Sequence, residues 1–174
     1  MKIHIALIAQ IAIAVIVSNS ACADSLLDDA RKLVAAQQYD SAIDLLNKYV
    51  STNPMSADGC LLLANAHHWK KDFPKARVCY EKAATLDARY TLDIIPLIDE
   101  LNEWKEIIRI AGPELQKNKK LRPSILGPLA SAYENSDKHL DAERVVNILA
   151  ANEYEGQDVK DYKNYVLAYY HLWS

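Results

Sequence analysis

The chain has 174 residues, 51% of them hydrophobic and 25% charged, with a formal net charge of −3. So mild a balance argues against nucleic acid or an anionic membrane surface as partner. With Gly 4, Pro 6 and Cys 3, the chain is too poor in breakers for a long linker and too poor in cysteine for a disulfide framework.

The first segment reads as an export signal. Met1-Lys2 is a short charged start, Ile3 to Val17 an apolar run broken by His4 and Gln10, and Ser18-Asn19-Ser20 a polar exit. Ala21-Cys22-Ala23 supplies the small-x-small pattern of a cleavage site. A transmembrane anchor is the competing reading, but the run falls short of the roughly 20 residues a spanning helix needs. Cys22 offers lipid attachment as a further alternative, disfavoured because Asn19 stands where such a signal wants an apolar residue. Residues 1–23 are therefore expected to be removed, giving an exported chain, periplasmic or secreted, with no transmembrane span. Losing Lys2 leaves 19 basic against 23 acidic side chains, about −4, in a length that predicts one domain.

Beyond residue 23 one spacing recurs: a small or apolar residue, eleven residues, then another. The pairs are Ala30 and Ala42, Ala64 and Ala76, Ile95 and Ile107, Ala130 and Ala142, and their second members step by 34, 31 and 35 residues. Self-similarity at that period signals a solenoid of helix hairpins, because one hairpin cannot bury its own apolar face. Apolar residues repeat every three to four positions throughout, with no run of period two. Helices are predicted over about 25–37 and 39–52, 57–70 and 73–86, 93–102 and 104–118, 124–135 and 139–151, and finally 158–172. Gln37-Gln38, Lys70-Lys71-Asp72 and Asn135-Ser136-Asp137 are the turns inside pairs.

The frame around those pairs resembles the tetratricopeptide repeat family. The second copy matches best, through Leu63, Ala64, His67 in an aromatic slot, Phe73, Ala76, Tyr80 and Ala83. The first gives Leu26, Ala30, Leu33, Tyr39, Ala42, Leu46 and Pro54; the fourth gives Leu126, Leu129, Ala130, Tyr133, His139, Ala142 and Val146. The resemblance implies an all-α fold, a right-handed α-α superhelix of about four such hairpins over residues 24–157 (24–56, 57–90, 91–121 and 122–157), with 158–174 as a C-terminal capping helix. Ala30, Ala42, Ala64, Ala76, Ala130 and Ala142 would mark the close helix crossings, where only a small side chain fits.

The third copy departs from the pattern. Ile95 and Ile107 fill both small slots, Pro96 confines its helix to a start near Asp93, and Gly112-Pro113 is expected to interrupt the partner helix near Ile110. On the last helix Tyr162, Tyr165, Val166, Tyr169 and Trp173 form a stripe that predicts a cap over the last repeat, with Tyr170 and His171 off it. The sharper readings of that stripe are an aromatic docking surface or a self-association interface.

Nothing in the pattern points to catalysis. His67 and His68 are adjacent, so on a helix they diverge by about 100° and do not share a metal; His67 reads as core and His68 as exposed. Metalloprotease, nucleophile-elbow, redox-pair and phosphate-loop motifs are missing, so neither enzyme activity nor a cofactor is expected. Cys60 and Cys79 fall on the two helices of one pair. Register about Ala64 and Ala76 sets Cys60 opposite Tyr80, one residue from Cys79, so both a disulfide and two buried thiols stay open.

The resemblance implies a non-enzymatic scaffold that binds a peptide or protein in the concave groove of its first helices. The ligand-facing slots hold Leu27, Arg31 and Val34, then Leu61, Asn65, His68 and Trp69, then Asp99 and Glu100, then Ser131, Glu134 and Asn135. The Lys, Asn and Arg set with which family members hold chaperone C-termini is largely missing. The run Ala64-Asn65-Ala66-His67-His68-Trp69 with Phe73 and Ala76 is also similar to repeats of bacterial envelope proteins in polysaccharide export and outer-membrane assembly. An envelope component contacting glycan and a self-associating structural subunit are the alternatives.

Overall fold

The polar interruptions between paired helices each force one residue into the left-handed region: Gln37 (φ 59°), Lys71 (φ 65°), Asn102 (φ 57°) and Asp137 (φ 56°). The same two hydrogen bonds recur around each. The amide of the left-handed residue donates to the carbonyl three back, at 3.0, 2.8, 2.9 and 3.1 Å in turn. The next amide donates five back, Gln38 to Leu33, Asp72 to His67, Glu103 to Ile98 and Lys138 to Tyr133, at 2.9 to 3.0 Å. This is the Schellman arrangement, which satisfies carbonyls that a helix end otherwise orphans. The following helix starts at once, and its fourth residue, Ala42, Ala76, Ile107 or Ala142, donates the first full helical bond back to the turn.

This computed structural model describes residues 25–118 and 120–171; the export segment and Trp173 lie outside them. Every regular element among the described residues is helical. Length alone predicts one domain, whereas the chain divides into two compact units, up to Ala88 and from Arg89 onward. Within each unit the helices pack mainly on their sequence neighbours, as hairpin repeats do.

The first unit holds α1 (residues 25–35), α2 (Tyr39–Thr52), α3 (Ala57–Trp69) and α4 (Phe73–Leu86). Ala30 and Ala42 are buried in one cluster with Leu27, Ile43, Leu46, Tyr49, Leu63 and Ala66. Ala64 and Ala76 are wholly buried between α3 and α4, beside Cys60, Tyr80 and Ala83. The start of α3 is set by Ser56, whose Oγ accepts from the Gly59 amide at 3.1 Å and lies 3.2 Å from the Tyr49 hydroxyl. A Cβ on Gly59 would come within 2.6 Å of the buried Tyr49 ring, so only glycine lets that ring lie against the helix.

The second unit holds α5 (Ile95–Glu100), α6 (Trp104–Lys117), α7 (Pro123–Glu134), α8 (His139–Ala151) and α9 (Gln157–His171). Ile95 and Ile107 are wholly buried, as are Ala130 and, very nearly, Ala142. The first helix of this unit begins at Ile95, after a turn, with Pro96 in its opening turn. The expected interruption near Ile110 is not there: α6 runs on to Lys117 with Pro113 inside it. Pro113 is exposed, so its ring meets solvent and a single backbone bond is forgone, while Gly112 leaves room for the Tyr133 hydroxyl.

The last helix is turned from the predicted stripe. Of that stripe Val166 is buried, whereas Tyr165 and Tyr169 are 68% and 50% exposed. Tyr170, placed off the stripe by sequence, is half-buried, and its hydroxyl lies 3.4 Å from Ser131 Oγ. A Cβ on Gly127 of α7 would meet Val166 at 3.1 Å, which marks the close approach of α9. Lys163 fixes the rotation by donating to the carbonyls of Ala150 and Asn152 at 2.8 and 2.6 Å, closing the end of α8.

The left-handed turns yield a test. Gln37 is exposed, and an L side chain in that region is disfavoured by about 1–2 kcal/mol, partly offset in glycine by its freer unfolded chain. Gln37→Gly should therefore raise the thermal midpoint by about 2 °C. A lowered midpoint would show that the turn is held by something other than its hydrogen-bond frame.

Candidate functional site

On α3, residues spaced by four and by seven to eight share one face, which brings Leu61, Asn65, His68 and Trp69 together. Tyr80 reaches this face from α4 and donates its hydroxyl proton to Asn65 Oδ1 at 2.7 Å. With that proton spent, the 3.2 Å contact between His68 Nδ1 and the Tyr80 oxygen is a bond donated by the imidazole, which fixes its tautomer. Among the described residues nothing accepts from the Asn65 amide nitrogen, whose donors are left for solvent or a ligand.

His68 is not exposed. Its ring is 6% accessible, stacked on Trp69 at 5.8 Å and met edge-on by Phe73 and Tyr80 at 6.0 and 6.1 Å. It acts as the backing of the surface, and Trp69, 57% exposed at the end of α3, is its front. Leu61 is half-buried beside them.

The α1 slots divide differently. Leu27 belongs to the core, because the face it shares with Ala30 is the one that packs against α2. Arg31 is exposed and pairs with Asp28 at 2.7 Å, and Val34 is half-buried against the core. Of the two states left open by the register, Cys60 and Cys79 are present here as free thiols. In the register about Ala64 and Ala76 it is Tyr80 that stands across from Cys60, and burial raises both thiols above their usual value, leaving little thiolate to react.

In the second unit the predicted slots lie along α5 and α7. Glu100 is exposed, Glu134 sits 2.7 Å from His139 Nδ1, and the Asn135 side chain donates to the Ser131 carbonyl at 2.8 Å, closing α7. Asp99 and Ser131 instead line a cleft of about 190 Å3 with Gly127, Pro128 and a wall of α9 side chains: Tyr162, Tyr165, Val166, Tyr169 and Tyr170. Burial raises the Asp99 carboxyl above its usual range, with the neighbouring Glu100 adding to the effect. Burial likewise pushes the Tyr170 phenol up to about 12. Sequence spacing places Asp99 and Ser131 among the groove slots and reads the tyrosines as a cap, with docking and self-association surfaces as alternatives; α9 packs on α7 where Gly127 leaves room for Val166 and Tyr162.

No family model matches the chain, and no curated protein matches it. A chain in the solved structure of Naa15/Naa10 bound to HypK-THB is similar in fold, with a TM-score of 0.53 and 17% identity over 86% of this chain. The match spans 24% of that chain, so this protein corresponds to about a quarter of its length. Identity so low shows the fold alone, a tetratricopeptide-like succession of helix hairpins.

His67 sits behind the α3 face and carries a cost. Its Nδ1 is buried without a hydrogen-bond partner, 3.5 Å from Asp72 Oδ2, while Asp72 is engaged by Lys75 at 2.9 Å. Burial lowers the His67 pKa from 6.5, against the pull of Asp72. The folded state thus binds this proton more weakly than the unfolded chain, so stability is whole above about pH 6.5 and falls as pH drops below it. His67→Phe should flatten that fall, measured by chemical denaturation between pH 7.5 and 5. Parallel losses in variant and parent would place the titrating group elsewhere.

Proposed function

We propose that the protein is a non-enzymatic interaction scaffold of the tetratricopeptide type, which binds a peptide or protein on the exposed faces of its first helices. One observation carries this reading. On α3 a largely exposed indole stands beside an amide whose oxygen is locked by Tyr80 and whose nitrogen is unused. A rigid aromatic with a pre-set polar donor is the composition of a recognition surface, since little side-chain freedom is lost on binding. The histidines support binding rather than proton transfer: His68 is spent in the Tyr80 network and His67 is desolvated. The structural relative is itself bound to a partner in its complex, which agrees with the reading without identifying a partner here.

We further propose that the chain works outside the cytoplasm, in a bacterial envelope, on the strength of Met1-Lys2, the apolar run to Val17 and Ala21-Cys22-Ala23. Intact-mass measurement of the protein from its native host should then find a chain beginning at Asp24, and a retained Met1 would refute export by cleavage.

The binding reading is tested by site-specific photocrosslinking in cells. A crosslinker at Trp69 should give a discrete adduct that the same crosslinker at Val78, 64% exposed on α4, does not give. Equal adducts from both positions, or none from Trp69, would reject α3 as the docking face.

A further inference from the structure

We propose that the cleft formed by Asp99, Ser131, Tyr162, Tyr165, Tyr169 and Tyr170 in the second unit is a pocket for a cationic side chain, an arginine carried on a bound peptide or protein segment. The inference rests on the scaffold reading for the nature of its partner and adds what the second unit recognises.

The charges around the cleft are uneven. Elsewhere in this unit Asp93 is paired with Arg122 at 2.8 Å and Glu114 with Lys117 at 2.6 Å, and Glu134 lies 2.7 Å from the imidazole Nδ1 of His139. The Asp99 carboxylate has neither a hydrogen bond nor an ion pair among the described residues, although it is half-buried. Among the described residues the lining holds no basic side chain, and Lys163 on α9 is committed to the two carbonyls at the end of α8. A carboxylate withdrawn from water without a counter-charge is costly, and a cation entering the cleft offsets that cost.

The walls suit the same occupant. Tyr169 meets Tyr170 edge to face, with centroids 5.6 Å apart and planes at 80°, and Tyr162 lies 6.4 Å from Tyr165 at 38°. Such an array offers π-faces at several angles around a charged centre, which attract a cation. Guanidinium fits better than ammonium: it is planar, more weakly hydrated, stacks on aromatic rings and presents paired donors to a carboxylate. A neutral sugar can stack on the tyrosines and donate hydroxyls to Asp99, but it leaves the charge uncompensated.

The test titrates the mature chain, labelled for NMR, with three probes: Nα-acetyl-arginine amide, its neutral analogue Nα-acetyl-citrulline amide, and maltohexaose. The arginine probe should shift the Gly127 and Ser131 amides saturably, and the citrulline probe should not. Asp99→Asn should weaken arginine binding by about tenfold or more, without lowering the thermal midpoint, since it removes an unpaired charge. Tyr169→Leu, at a half-exposed position, should weaken binding with the fold intact, and Val78→Ala, at the exposed control position on α4, should leave it unchanged. Equal binding of citrulline, full binding by Asp99→Asn, or a response to maltohexaose alone would overturn the proposal. Arginine binding that persists while Trp69 gives no adduct would sink the α3 docking face and keep this pocket; the opposite pair of results would sink the pocket alone.

Discussion

The repeated left-handed turn is the constraint on which the rest depends. Each first helix ends by handing two of its last carbonyls to the amides of the turn, and the second helix starts within a residue. So short a reversal leaves the two helices no freedom in register: the fourth residue of the second helix always arrives beside the first, and that position is Ala42, Ala76, Ile107 or Ala142. Alanine there lets the backbones approach closely, and larger residues such as Leu46 and Tyr80 then fill the space along the crossing. Three of the left-handed residues are exposed Gln, Lys and Asp, and the fourth is Asn, so the turn is held by its hydrogen bonds and not by glycine.

Much of this was legible in the sequence because it repeats. Twelve-residue spacing and a step near 34 report a geometry that every hairpin must satisfy, and the predicted helices fall within about three residues of those observed. The α6 prediction failed for a different reason. Whether a proline breaks a helix depends on where its ring points, and Pro113 faces solvent while Gly112 makes room for Tyr133, neither of which is written in a local pattern.

The candidate surfaces were less legible, since periodicity names a face but not its neighbour. Leu27 occupied a ligand-facing slot by register, yet its face is the one α2 covers. His68 was expected in the open and lies beneath Trp69, held by a phenol that reaches across from α4. On α9 the tyrosine stripe is the most apolar face by spacing, but phenols keep their hydroxyls near water, and Val166 with Lys163 set the rotation instead.

Both surfaces break the consistency that holds elsewhere in the chain. Alanines at the crossings, a hydroxyl cap on α3, paired surface charges and filled cores all favour the fold, whereas an unused amide beside an exposed indole and an unpaired, half-buried carboxylate do nothing for it. Local choices that cost stability without structural return concentrate where a protein meets something else. The two surfaces differ in kind: α3 offers a neutral donor and an aromatic plane, and the Asp99 cleft offers a negative charge ringed by phenols. The first surface asks for a carbonyl and an apolar group, and the second, taken by itself, for a cation. Peptide segments can meet either demand separately, since the backbone supplies a carbonyl at every residue and side chains supply the apolar group or the cation.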